Sequence, residues 1–272
     1  MENKKLELKE MQQIELDMAK YVHKICKENN ITYWLDGGTL LGAIRHKGFI
    51  PWDDDMDLAM PRADFEKLLK IVNADNGPYR IICHENTKDY GYSFPKIIDT
   101  RTELLDDKFG NSLEKIGVFL DIFLMDGAGD TWGSAKLHYY FTKIFKRMIF
   151  LSRRHFKMET TAKTVVFAVP WLICRAMGTD RINRIFHKLS AKRDFYHSVY
   201  VAPMGSDIGM HPEFTREMFS HTIDVPYEDT ELSALAEYDT YLTACYGDYM
   251  TPPPEDQRVS NHSMQAWWKK QA

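Results

Sequence analysis

Asp53, Asp55 and Asp57 fall at two-residue spacing in the stretch Ile50-Pro-Trp-Asp-Asp-Asp-Met-Asp-Leu58. Alternate side chains of an extended strand share a face. The spacing therefore places these carboxylates on one side, and Met56 and Leu58 on the other. Like charges held together raise one another's pKa. A hard divalent cation relieves that repulsion, and Mg2+ or Mn2+ held by two carboxylates plus substrate phosphate is a common arrangement. An acidic surface loop would explain Asp53-Asp54-Asp55 alone. The glycine pair upstream and the alternating apolar residues downstream favour metal binding. A further carboxylate, Asp121, lies in Gly117-Val-Phe-Leu-Asp-Ile-Phe-Leu124, where a lone charge is costly to bury. The alternative for Asp121 is a strand-end residue bonded to backbone amides. Asp126, just before Gly127, reads as a turn residue.

Groups that could hold an anion lie nearby. Gly37-Gly38-Thr39 precedes a helical pattern. Glycine has no Cβ to obstruct a phosphate approaching the backbone amides of a helix start. Arg45, His46 and Lys47 lie one helix downstream and can neutralise phosphate charge, although a solvated loop explains the last two equally well. Lys96 sits in the apolar run Tyr92 to Ile98, where an inward ammonium needs an anionic partner, so it is a phosphate-binding candidate.

The elements that must position these groups alternate over the first 130 residues. Met11, Ile14, Met18, Val22 and Ile25 recur at three- and four-residue steps, as on an amphipathic helix. Strands are expected at Ile31–Leu35, Asp55–Met60, Tyr79–Cys83, Tyr92–Ile98 and Gly117–Leu124, with a turn at Gly37-Gly38 and helices at Thr39–His46 and Ala63–Val72. From Trp132 to about Tyr196 the pattern is helical, with breaks near Ser152, Pro170 and Gly178. Another helix is expected over Leu232–Tyr246, capped by Gly247, and Thr251-Pro-Pro-Pro254 is extended. The fold class is α+β: a mixed sheet flanked by helices, followed by a mainly helical half.

The 272 residues carry a formal charge of −4, and the chain has a pI near 6.2, which speaks against a nucleic-acid partner. That near-balance hides an asymmetry. Trp132–Phe195 holds fourteen Lys and Arg against three Asp and Glu, while the remainder is acidic. Such a region suits an anionic surface or polymer, or is simply a helical region with a solvated basic face. Cys26, Cys83, Cys174 and Cys245 are scattered without a CxxC pair, so neither a zinc cage nor a disulfide framework is legible. The charged start MENKKLELKEMQQ lacks a signal-peptide pattern, and the apolar run Thr164–Cys174 is too short to span a bilayer. A cytoplasmic protein is expected, soluble or peripheral on the inner face of the membrane.

The string DGGTLLGAIRHKGFIPWDDDMDLAMPR, with Asp121 on a later strand, resembles the nucleotidyltransferase-fold superfamily and, within it, the LicD-type phosphocholine transferases, which include the fukutin-related transferases. The C-terminal segment Tyr246-Gly-Asp-Tyr-Met-Thr-Pro-Pro-Pro-Glu-Asp-Gln-Arg258 resembles the end of such proteins. The resemblance implies Mg2+- or Mn2+-dependent transfer of phosphocholine from CDP-choline to a hydroxyl of a cell-surface glycan precursor of teichoic acid or lipopolysaccharide type, in some members lipid-linked. It matches Asp55 and Asp57 to the metal pair, Asp121 to the third carboxylate, and Gly37, Gly38 and Thr39 to the phosphate-holding turn. Arg45 and Lys96 would then neutralise phosphate. The roles of Asp53 and Asp54 stay open. Residues 1–130 would form the catalytic core, and 131–272 a mainly helical region facing acceptor or membrane. Trp34, Trp52, Tyr90, Tyr92 and Trp132 could cage a quaternary ammonium, and the sequence does not choose among them. Phe145, Ile149, Phe150, Phe167 and Trp171 could accompany the basic residues at an anionic leaflet. Competing readings are transfer of ribitol, glycerol or ethanolamine phosphate, nucleotidyl transfer, and an inactive scaffold in surface-glycan assembly.

Overall fold

The computed structural model describes residues 4–105, 116–153, 161–259 and 264–269. Helix α1 (Leu8–Asn29) buries Met11, Ile14, Met18, Val22 and Ile25, as its periodicity requires. Glu7 and Glu10 form a capping box at its start, and Asn30 ends it in the left-handed conformation. The chain continues through β1 (Trp34–Leu35), α2 (Gly37–His46), β2 (Asp57–Pro61), α3 (Arg62–Ala74), β3 (Tyr79–Ile82), β4 (Lys96–Asp99), β5 (Thr102–Leu105) and β6 (Phe119–Gly129). Helices α4 (Trp132–Arg153), α5 (Thr161–Met177) and α6 (Thr179–Ser190) follow. Then come β7 (Tyr200–Pro203), β8 (Thr222–Tyr227), β9 (Thr230–Leu235), α7 (Tyr238–Tyr246) and β10 (Gln265–Trp268).

The main sheet runs β1-β2-β6-β4-β3, with β7 also paired to β6. It is mixed: β2 lies parallel to β6, and the remaining pairs are antiparallel. All eleven residues of β6 are buried, which explains its continuous apolar run. One large apolar cluster joins α1, the sheet, the β8–β9 hairpin and α7. A smaller cluster packs Ala135, Tyr139 and Ile149 of α4 against Ile182 and Phe186 of α6.

Several expectations are corrected. Leu232–Tyr246 is not one helix, because Thr230–Leu235 pairs as a strand with Thr222–Tyr227. Leucine and alanine there carry no strand signal; the long-range pairing decides the conformation. Asp126 is not a turn residue. β6 continues past it because β7 pairs alongside, and the buried Asp126 carboxylate accepts two bonds from Arg62, at 2.6 and 2.5 Å. Helix α5 passes through Pro170 without the expected break. Helix α2 starts at Gly37 rather than after a glycine turn. Of the residues expected at a membrane, Ile149 is buried, Phe145 and Trp171 are half-buried, Phe150 is exposed, and the Phe167 side chain lies outside the described residues. No described helix is long and apolar enough to cross a membrane.

Candidate functional site

The register of the central sheet builds the site. Asp57 on β2 pairs with Asp121 on β6, and Lys96 on β4 pairs with Asp121 from the other side. Registered residues of neighbouring strands point to the same face, so Asp57, Asp121 and Lys96 form a row across three strands. The buried Lys96 ammonium donates to Asp121 Oδ1 and lies 3.4 Å from the centre of the Phe119 ring and 4.4 Å from that of Tyr92. Ahead of β2, exposure alternates as the spacing requires: Asp54 and Met56 are buried, while Asp53, Asp55 and Asp57 are half-buried. Carboxylate oxygens of Asp53, Asp54 and Asp55 lie within 4.8 Å of one another.

The start of α2 is fixed against this row. The Asp57 backbone N–H donates to Thr39 Oγ1 (2.8 Å), and the Asp36 N–H donates to the Asp57 carbonyl (2.9 Å). Gly37 has φ +51°, and a Cβ there would stand 3.4 Å from Asp57 Oδ2 and 3.6 Å from Tyr246 Oη. A Cβ on Gly38 would stand 3.1 Å from Asp53 Oδ2. The glycines thus let the first amides of a helix approach the carboxylates closely. Asp36, immediately before them, is buried and accepts a hydrogen bond from Tyr241 Oη. Desolvation pushes its carboxyl up to about 6.

A cavity of about 510 Å3 opens on this arrangement. Its polar wall holds Gly37, Gly38, Asp55, Asp57 and Asp121, and its aromatic wall includes Tyr92, Phe94, Phe123 and Phe150. Lys146 and Ile149 of α4, Ser206, Asp207, Ile208 and Tyr246 complete the lining. Burial, followed by the charges of Asp55 and Asp121, drives the Asp57 carboxyl well above its ordinary range. Behind the acidic stretch, Glu15 of α1 is raised in the same direction by burial and then by Asp55, Asp54 and Asp53. Hard oxygen donors gathered round an Asp57 whose anion is disfavoured by burial and by its neighbours fit a divalent cation, which offsets both costs. The cavity can hold a phosphorylated molecule between helix-start amides and such a cation.

Asp55, Asp57, Asp121, Gly37 and Gly38 are therefore gathered around one cavity, and Thr39 supports it from below through the Asp57 amide. Lys96 lies beneath Asp121 and acts on it directly. Arg45 is directed elsewhere: its guanidinium donates to the Tyr249 carbonyl (2.8 Å) and is not part of the lining. Among the aromatics considered for a cage, Trp34 and Tyr90 are core residues, and Tyr92 reaches the cavity. Sequence reasoning missed Lys146, Ser206, Asp207, Tyr246 and the buried Glu15. Lys146 was one cation in a basic run, and nothing local separates it from its neighbours. Tyr246 opens the C-terminal segment noted above, so its position carried a signal although its role did not.

Residues 30–156 match the family described as LicD/FKTN/FKRP, nucleotidyltransferase domain. The chain is 31% identical over 270 residues to the "Lipopolysaccharide cholinephosphotransferase LicD" of Haemophilus influenzae, covering 97% of this chain and 99% of that protein. It is 39% identical over 61 residues to the human "Ribitol 5-phosphate transferase FKRP", which is 22% of this chain and 12% of that one. A match to "Mannosyltransferase regulator 4" of Saccharomyces cerevisiae reaches 27% over 111 residues, covering 39% of this chain and 9% of that protein.

Proposed function

The chain belongs to the LicD/FKTN/FKRP family, and from that premise we propose that it transfers a phospho-alcohol from a CDP-alcohol to a hydroxyl of a cell-surface glycan precursor, releasing CMP. The donor proposed is CDP-choline. The observation that carries this reading is the register of Asp57 with Asp121 beside Asp55 and the glycine start of α2.

Asp55, Asp57 and Asp121 would hold Mg2+ or Mn2+, which when bound supplies charge neutralisation to the donor phosphates. Gly37 and Gly38 present helix-start amides to one phosphate. Lys146, at the cavity wall and paired there with Asp207 (2.6 Å), is the cation placed for the neutralising role expected of Arg45. Lys96 orients Asp121 rather than touching the donor. The acceptor oxygen attacks the phosphorus that carries the alcohol. The bond from that phosphorus to the bridging oxygen breaks, and CMP departs with that oxygen. The hydroxyl proton passes to a carboxylate, and Asp121 is placed to take it. A quaternary ammonium suits the aromatic wall of Tyr92, Phe94, Phe123 and Phe150.

The likeness to a ribitol 5-phosphate transferase supports a second reading, in which CDP-ribitol is the donor. A screen of CDP-choline, CDP-ribitol, CDP-glycerol and CDP-ethanolamine, reading CMP and free phospho-alcohol with and without Mg2+, separates these. Metal-dependent CMP release from CDP-choline above the others supports the proposal. Release of the free phospho-alcohol in place of CMP would mean nucleotidyl transfer, and no turnover of any donor would revive the scaffold reading.

A further inference from the structure

Besides the residues they bury, helices α4 and α5 each carry an apolar stripe on the outside. On α4, Leu137, Tyr140, Phe141 and Ile144 fall at i, i+3, i+4 and i+7 and are 74%, 58%, 49% and 52% exposed. On α5, Val169, Leu172 and Ile173 repeat the same spacing, with exposed Ala176 in the fourth place. In a surface helix of a globular protein that stripe ordinarily faces the core. Among the described residues, eight of the fourteen exposed large hydrophobics sit on these two helices. The helices also lie in the stretch with fourteen Lys and Arg against three Asp and Glu. On α4, the exposed Lys136 and Arg147 flank the apolar stripe along one edge, and the half-buried Lys143 between them donates to the Ser206 carbonyl.

We propose that this face is a docking surface for an anionic lipid bilayer, with the two stripes in the headgroup–acyl boundary and the basic edge on lipid phosphates. Apolar residues beside a cationic rim match that interface. A second copy of the chain fits less well, because a two-fold contact sets the same basic patch against itself. The face is also continuous with the site. A second cavity of about 470 Å3, lined by Tyr140, Lys143, Ile144 and Arg147, shares Lys146, Phe150 and Asp207 with the first. Docking here directs the cavity mouth towards molecules carried in the membrane. That consequence rests on the transferase reading; the docking itself rests on the surface alone.

Flotation of the full chain tests it, with vesicles of phosphatidylglycerol and phosphatidylcholine in equal parts against phosphatidylcholine alone, without nucleotide. The protein floats with the anionic vesicles, and added salt releases it. Leu137→Ser/Phe141→Ser lowers partitioning roughly tenfold or more. Lys136→Glu/Arg147→Glu, which keeps the apolar stripe, lowers it by a similar factor. Both variants change exposed side chains, and circular dichroism checks that they fold. Absence of flotation at low salt, equal binding to neutral vesicles, or partitioning unmoved by either variant overturns the proposal. So does a dimer in sedimentation that Leu137→Ser/Phe141→Ser abolishes.

Discussion

Asp57 is a half-buried residue whose carboxyl is desolvated beside two others, so the folded chain resists its ionisation. The sign of its effect on stability follows. A carboxyl raised in the folded state costs stability as pH climbs above its unfolded value, because the unfolded chain ionises freely. Asp57→Asn therefore stabilises the metal-free protein at neutral pH while lowering CMP release by roughly a hundredfold or more. Thermal denaturation should show a higher midpoint for the variant without metal. Mg2+ should raise the parent's midpoint further than the variant's, with a gain of about 2.7 kcal/mol for the parent at a hundred times its dissociation constant and about 1.4 kcal/mol or less for a variant that binds at least tenfold more weakly. Unchanged turnover in the variant would contradict the assignment. At this scale the sequence was informative. The two-residue spacing anticipated that Asp55 and Asp57 line one cavity, although Asp53 is not in its lining and β2 starts only at Asp57, and an acid in an apolar run marked Asp121. The partners of Lys96 and Arg45 were not legible, because each is set by pairing with a distant segment.

Between elements, one polar network joins the sheet to the helical region. Arg62 at the start of α3 holds Asp126 of β6, and its Nη1 lies 3.4 Å from His187 Nδ1 on α6. His84, just after β3, stacks on His187 with ring centres 3.8 Å apart. Burial and then the Arg62 charge push His84 down to about 4 and His187 well below its usual range. Both rings are thus neutral in the folded protein at neutral pH. The stability they confer is complete above about pH 6.5, the unfolded value, and is lost as pH falls towards 4. Urea unfolding between pH 7.5 and 4.5 should show this loss, and His84→Gln should flatten it; an unchanged slope would refute the coupling. Helix α1 and strand β6 could be read directly, one from its period and the other from its apolar run. Strand β9 could not, since Leu232 and Ala234 suit a helix as well and only β8 makes them a strand. β6 was read too short for the same reason, because β7, far along the chain, extends it past Asp126.

Across the whole molecule, the two halves of the chain are interwoven. β7 completes the main sheet, β10 pairs with β5, and Leu232 and Tyr241 share one apolar cluster with α1 and β2. We propose that residues 1–130 and 131–272 unfold together despite their separate composition. Calorimetry should give one transition with equal calorimetric and van't Hoff enthalpies. Two resolved transitions would mean that the helical region is held independently. The charge asymmetry of the chain was plain in its sequence, but which apolar residues face outwards was not. Ile149 and Phe150 are adjacent, and packing against α6 buries one and leaves the other exposed.

A titration of Mn2+ followed by electron paramagnetic resonance, in the presence of CDP-choline, bears most directly on the convergence of Asp55, Asp57 and Asp121. Binding to the parent should be saturable, and Asp57→Asn and Asp121→Asn should each weaken it at least about tenfold. Parent-like binding in both variants, with loss only in Asp53→Asn and Asp54→Asn, would place the cation on the preceding acidic stretch and contradict the site.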